Sequence, residues 1–374
     1  MLKGISLTLY SGAVTTSPVA REVIDALTSV EVTSNTEGPS GFQLTFTLSQ
    51  RSPLHRDFVI KAGTIPLMRM IIVATVQGTP EVLMDGVITN HQVSPGSQPG
   101  EWMLTMTGED LSKLMDLIDM SGLPYPAMPA NVRVAAILGK YALFGILPAI
   151  VPSPFLDVVW PTLMIPAQDG TDLTYLQLLA KRTGYVFYVD PGPKPGLSTA
   201  YWGPPIQWGT EQPALNYDLG THRNVDSLDI GFNTADATMP VVYIQNQLTK
   251  FPIPVPLPKV NPLRKPMGLV PPAITKFTPM NDTAKLPAVN ALLHGLAEAA
   301  KSADAVSGSG TLDVARYGRI LKARKLVGVR GAGTAFDGLY FVKSVTSTMK
   351  RGEFKQSFQL SRNALVPLTN TVAV

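Results

Sequence analysis

Four histidines, His55, His91, His222 and His294, are the side chains best suited to bind a metal or move a proton near neutral pH. They are widely scattered, and none sits in a His-Glu-x-x-His arrangement that would aim two ligands from one helix face. His294 lies in an Ala/Leu-rich helical stretch and reads as a packing or helix-surface residue, and His91 reads as a solvent-facing strand residue. Two carboxylate pairs, Glu109/Asp110 and Asp169/Asp172, could in principle flank a sugar as a glycosidase requires. Neighbours on a strand point to opposite faces, however, and helix capping accounts for the second pair. The stretch "GVRGAG" from Gly328 to Gly333 lacks the glycine pattern of a dinucleotide loop and opens no helix, so it reads as a β-turn. There is no Gly-x-Ser-x-Gly elbow. With no cysteine in the chain, disulfides, thiolate metal sites and cysteine nucleophiles are excluded. The inventory assigns no catalytic, cofactor-binding or metal-ligating residue, and the expectation is a protein that is not an enzyme and carries no cofactor.

Bulk properties point the same way. The 374 residues suffice for two or three domains. Only 16% are charged, against a usual ~25%, and the net charge is +4 with no dense Lys/Arg run. Such a chain hides surface in a large core or against partners, and its charge gives no sign of non-specific nucleic-acid binding. The start, "MLKGISLTLYSGAV", is a poor signal peptide. The most apolar stretch, Tyr141 to Trp160, is interrupted by Pro148, Pro152 and Pro154 and is too short to span a bilayer, so stable membrane insertion is not expected.

The elements that would carry any site are mainly β, with an α+β insertion. "GFQLTFTLSQ" alternates Phe42, Leu44, Phe46 and Leu48 as a half-buried strand does. "MRMIIVATVQG" and "EVLMDGVITNHQV" form a hairpin about a Gly-Thr-Pro break, and "GEWMLTMTGED" adds a strand alternating Trp102, Leu104 and Met106. Next, "NVRVAAILGKYALF" has Val134, Ile137, Leu138 and Tyr141 at helical spacing behind Asn131 as an N-cap. In "DGTDLTYLQLLAKRTGYVFYV", Thr171 or Asp172 caps a helix over 172–183 whose apolar stripe is Leu173, Leu176, Leu179 and Ala180. Gly184 ends it as a left-handed C-cap, and a strand follows over 185–189. Eight prolines between Phe251 and Pro272 predict an extended arm or crossing loop over 251–272. A helix over 287–303 follows, with Val289, Leu292, Leu293, Leu296 and Ala300 on one face, and β patterning then returns. The boundaries are 1–118, 119–205 and 206–374.

The two β ends resemble each other. "DGVITNHQVSPGSQPGEWMLTM" from Asp85 and "DGLYFVKSVTSTMKRGEFKQSF" from Asp337 align without gaps over 22 positions. Asp85, Gly86, Val93, Gly100 and Glu101 are identical to their counterparts, and the next residue is aromatic in both, Trp102 and Phe354. Chance similarity of two hairpin-rich segments remains open at this level. The alternative is two copies of one β-barrel-like domain, so that three chains in a ring would present six similar domains.

Two motifs carry a resemblance to a known family. The helix and strand with Asp172, Tyr175, Leu176, Leu179, Ala180, Gly184, Tyr185 and Phe187 resemble the "D-x-x-(F/Y)-L-x-x-L-A-x-x-x-G-(Y/F)" signature of phage late control D and VgrG-type baseplate hub proteins. The tail, with Asp337, Gly338, Tyr340, Val342, Ser344, Val345, Phe358, Leu360, Arg362 and Asn363, resembles that family's closing segment. "MDGVITNHQV" with "LTMTGEDLSKLMD" is similar to its first barrel. The resemblance implies two tube-protein-like β-barrel domains per chain, joined by the α+β segment and assembled as a homotrimeric ring. That ring would sit in the tail baseplate of a virion or a phage-derived injection system, built in the host cytoplasm. It would adapt a sixfold tail tube to a threefold central spike, supplied here as a separate protein because no needle follows residue 374. Other baseplate proteins would contact it, and DNA or an effector would only pass through its lumen. The alternatives are a tail-tip cell-wall hydrolase or carbohydrate-binding protein, and the hub of a non-contractile tail.

Overall fold

The computed structural model describes residues 4–48, 52, 54, 58, 60, 67–96, 101–153, 165–205, 207, 209–233, 238–245, 251–257, 266–273, 276–280, 292, 295, 296, 299, 304 and 306–368. Through the first 110 residues the strands are β1 (Ile5–Gly12), β2 (Thr16–Pro18), β3 (Leu27–Asn35), β4 (Gly41–Leu48), β5 (Arg69–Val76), β6 (Thr79–Pro95) and β7 (Trp102–Asp110). The middle adds β8 (Ile146–Ile150), β9 (Val186–Pro191) and β10 (Ser198–Gly203). After it come β11 (Gln212–Asn216), β12 (Val225–Phe232), β13 (Thr238–Gln245), β14 (Pro252–Pro256), β15 (Gly268–Val270) and β16 (Lys276–Pro279). The last are β17 (Val306–Asp313), β18 (Leu326–Arg330), β19 (Gly338–Lys350), β20 (Glu353–Arg362) and β21 (Leu365–Pro367). The α-helices are α1 (Arg21–Asp25), α2 (Ala130–Gly139), α3 (Asp172–Thr183) and α4 (Val314–Tyr317).

The protein is mainly β, and thirteen of these strands share one sheet. Its order is β12-β17-β20-β19-β3-β4-β7-β6-β5-β1-β2, with β18 on the first half of β19 and β11 on β18. The alternation in β4 explains why it lies in the middle: Phe42, Leu44, Phe46 and Leu48 are all buried. Behind Phe42 the neighbouring strand must be bare, since a Cβ on Gly108 would sit 2.3 Å from the phenyl ring.

The strand order is the same in both halves of the sheet. The first half reads β1-β5-β6-β7-β4-β3, and the second reads β11-β18-β19-β20-β17-β12 in the same chain order. Their bulges correspond as well. Thr28 is the extra residue of β3 against β4, and Asp226 is the extra residue of β12 against β17. Thr89 bulges from β6 opposite Thr107 and Gly108, as Lys343 bulges from β19 opposite Gln359 and Leu360. A bulge adds one residue and a bend to one strand, and is a built feature of a sheet. The halves also differ: β1 pairs β5 antiparallel without a shift whereas β11 pairs β18 parallel with one, and the extra residue Leu83 of β6 against β5 has no counterpart in β19 against β18. The halves join where β3 pairs the second half of β19, from Ser344–Asn35 to Lys350–Ser29. One apolar cluster includes Leu44 and Met106 from one half and Val342 and Phe358 from the other.

A second cluster belongs to the insertion, where α2 and α3 pack with the three-stranded sheet β8-β10-β9. Within it, α3 covers the expected 172–183, and β9 runs over Val186–Pro191 where 185–189 was expected. Several local expectations are corrected. Leu173 is only half-buried, and Asp172 and Tyr175 take its place on the buried face with Leu176, Leu179 and Ala180. Asn131 does not cap α2; Pro129 occupies the N-cap, leaving Asn131 inside the first turn. The hairpin between β5 and β6 turns at Gln77-Gly78, both with positive φ, so Thr79 and Pro80 already belong to the strand. Trp102 keeps the alternation with Leu104 and Met106 but stands 42% exposed at the start of β7.

The proline arm is extended and, in its described parts, held down. β14 is an edge strand on β13, where a missing N–H is tolerated, and β15 pairs β21 near the C-terminus. The helix expected over 287–303 falls largely outside the described residues. Part of the apolar stretch after Tyr141 forms β8, and no helix among the described residues is long and apolar enough to cross a membrane.

Candidate functional site

The motif residues gather into buried joints. In the tail motif the joint is Arg362, a fully buried guanidinium. Its Nε donates to the Ala364 carbonyl at 2.6 Å, and its two terminal nitrogens donate to the carbonyls of Asp337 and Ala335, each at 2.7 Å. The guanidinium also lies 4.8 Å from the centre of the Tyr340 ring, whose hydroxyl donates to the Phe336 carbonyl at 2.7 Å. Burial lowers the Arg362 pKa and lifts that of Tyr340 to about 12. Asp337 accepts from the Ala332 N–H at 2.7 Å; of "GVRGAG", expected as a turn, Gly328, Val329 and Arg330 belong to β18, and only Gly331, Ala332 and Gly333 open the loop before β19. Asn363 accepts from the Met267 N–H at 2.9 Å and fixes the end of the proline arm. Val342, Val345, Phe358 and Leu360 are core, and Ser344 is the first residue past the β19 bulge.

In the helix motif the joint is Asp172, which is 3% exposed. Thr171 is the N-cap, its hydroxyl accepting from the Thr174 N–H, so capping does not account for Asp172. Its carboxylate instead accepts from Lys140 at 3.0 and 3.1 Å, from Tyr141 at 2.8 Å and from Gln168 at 2.8 Å. Gln168 in turn accepts from Tyr125, whose ring stacks on Tyr175 at 5.9 Å, and Arg133 of α2 donates to the Tyr175 hydroxyl at 2.7 Å. Burial, with Asp172 adding to it, pushes the Tyr141 phenol well above its ordinary range. Gly184 closes the helix with φ 71°, a conformation that costs a residue with a Cβ about 1 kcal/mol. Tyr185 meets the buried Trp202 edge-on at 4.8 Å, and Phe187 pairs with Trp202 across β9 and β10.

The repeat residues divide. Asp85 forms a buried two-point pair with Arg69, at 2.6 and 2.7 Å, and accepts from Ser198 of β10 at 3.2 Å. That ties the insertion to the sheet, a task the counterpart Asp337 does not share. Counted from the bulges, Trp102 and Phe354 correspond on the second strands. The first strands are displaced by two residues, Asp85 lying four before Thr89 and Asp337 six before Lys343. Val93 is 44% exposed, Gly86 packs against the Glu109 carbonyl, Glu101 precedes β7, and Gly100 lies outside the described residues.

Arg324 is a joint that the sequence did not suggest. It holds positive φ, pairs with Asp190, donates to the Asn35 carbonyl and lies 4.2 Å from the centre of the Tyr188 ring. It therefore joins β3, at the seam between the halves, to the insertion. No local pattern marks such a residue, because its partners lie more than 130 positions away.

The Arg324–Asp190 joint borders an open pocket of about 430 Å³ that Glu81, Lys322 and Lys325 also line. Glu109 lies beside Lys113 while Asp110 accepts from Ser40 and Ser112 N–H groups. His91 is half-buried, not solvent-facing, and burial lowers its pKa. His222 is exposed in a turn, and His55 and His294 lie outside the described residues. Among the described residues no group of three His, Asp or Glu side chains could hold a metal.

No family model and no curated protein matches the sequence. Solved structures do. A tail protein from Neisseria meningitidis superposes with TM-score 0.64 at 13% identity, over 96% of this chain and 97% of that one. The 43 kDa tail protein of prophage MuSo2 from Shewanella oneidensis gives 0.60 at 14%, over 96% and 98%. A Francisella PdpA-VgrG complex gives 0.61 at 9%, over 99% of this chain but only 54% of that one. At these identities the likeness is one of fold, and it runs the length of the chain.

Proposed function

We propose that this chain is a structural hub of a phage tail baseplate or a phage-derived injection system, without enzymatic activity. The observation that carries the reading is the repeated strand order, with matching bulges, in the two halves of one sheet. Each half is then a tube-like barrel unit, and three chains in a closed ring give six similar units around an axis of true threefold symmetry. Such a ring meets a sixfold tail tube on one face and a threefold spike on the other, with a lumen for genome or effector. The joints at Arg362, Asp172, Asp85 and Arg324 tie the segments together, as an adapter between two partners needs. The likeness of fold to tail proteins and to a VgrG complex supports this reading.

The test is assembly with the two partners the reading requires. Co-expressed with the tail-tube protein and the central-spike protein of the same particle, the chain should co-purify with both. Binding to neither, together with clearing of a peptidoglycan zymogram, would replace the hub with a tail-tip hydrolase.

A further inference from the structure

The seam inside the chain is a template for a seam between chains. Edge strand β3 of the first half pairs antiparallel with the second half of β19, beyond the Lys343 bulge. The corresponding partners for the next junction are both present and, among the described residues, both open. β12 is the second half's equivalent of β3, and among the described residues its only strand partner is β17. The part of β6 beyond the Thr89 bulge is the equivalent of that part of β19. It pairs β7 on one side, while β5 stops at Val87 on the other. Accordingly Thr89, Asn90, Gln92, Val93 and Pro95 are exposed, as are Ser227, Asp229 and Gly231.

We infer that β12 of one chain adds to β6 of a second copy, in the register set by the bulges. Within the chain Thr348, five residues past its bulge, faces Glu31, three past Thr28. The residues at the same counts are Ser94, five past Thr89, and Asp229, three past Asp226. The pairing therefore puts Ser94 opposite Asp229, Val93 opposite Ile230, Gln92 opposite Gly231 and His91 opposite Phe232. Val93 is 44% exposed, and Ile230 and Phe232 are half-buried, so the pairing covers an apolar row that one chain leaves open. No like charges meet across the seam. Exposed edges of this kind are liabilities unless a strand covers them, and the covering strand here comes from the same gene product. The inference rests on the proposed ring and specifies how it closes.

Cysteine pairing tests the register directly, because the chain has no cysteine of its own. The Thr36 N–H donates to the Lys343 carbonyl, so by alternation Thr348 and Glu31 form a non-hydrogen-bonded pair, with Cα atoms about 4.5 Å apart. That spacing admits a disulfide. The Ser94→Cys/Asp229→Cys protein, mildly oxidised, should run on a denaturing gel as a ladder ending at a closed covalent ring, with most of the chain cross-linked. Gln92→Cys/Asp229→Cys, slipped by two residues, should cross-link at least tenfold less. A trimer by mass whose Ser94/Asp229 pair does not cross-link overturns this seam and leaves the hub standing. A chain that stays monomeric overturns both. Should the substitutions disturb folding, hydrogen exchange on the unsubstituted protein decides. Residues 227–232 should exchange at least tenfold more slowly in the assembly than in diluted monomer, and equal rates refute the pairing.

Discussion

Arg362 shows how much one side chain can hold. Its guanidinium donates to three backbone carbonyls, to Ala364 in a buried bond and to Ala335 and Asp337 in partly buried ones, and the Ala335 carbonyl also accepts from the Val366 N–H. Arg362→Ala should therefore cost about 3 kcal/mol, since three charge-assisted bonds are lost at once and a fully buried side chain leaves a cavity. Tyr340→Phe, which removes only the bond to Phe336, should cost about 1 kcal/mol. Urea unfolding of both variants checks the ratio, and equal losses would mean that Arg362 acts through packing alone. The sequence marked Arg362, Asn363 and Asp337 as a motif but not what they do, because hydrogen-bond partners across a turn leave no periodic trace. For the same reason Asp172 stood beside Thr171 as an alternative cap: position near a helix start is legible, whereas Lys140, Tyr141 and Gln168 converging on it is not.

At the scale of elements, patterning was a good guide wherever one face is buried. β4, β5, β7 and α3 follow from alternation, β-branched runs and the Thr171-to-Gly184 punctuation. The stripe of α3 was legible in its apolar members and wrong at its start, where the polar Asp172 is buried and Leu173 half-exposed. Hydropathy cannot see a carboxylate that is buried because it has partners. Leu176 is fully buried in the apolar cluster that α2, α3 and the β8-β10-β9 sheet share. Leu176→Asp should accordingly cost several kcal/mol and abolish soluble assembly. A Leu176→Asp protein that elutes and melts like the parent would show that this contact is dispensable. Bulges lay beyond reach, since an extra residue in a ladder is a property of two strands and each sequence shows one. That is why the gapless alignment paired Asp85 with Asp337, although counting from the bulges displaces them by two.

For the whole molecule, the repeat glimpsed as five identities in 22 positions proves to be a repeat of strand order. The sheet that joins both halves within one chain was not legible. It depends on β3 meeting β19 more than 300 residues away, and on Arg324 bracing that seam. The most direct test of the account is the native mass of the purified chain by light scattering, with averaged electron micrographs of the same sample. A closed ring near three times 40.2 kDa, with threefold views and six similar lobes, is the predicted result. A monomer that keeps its mass at every concentration and with every tail partner would contradict it.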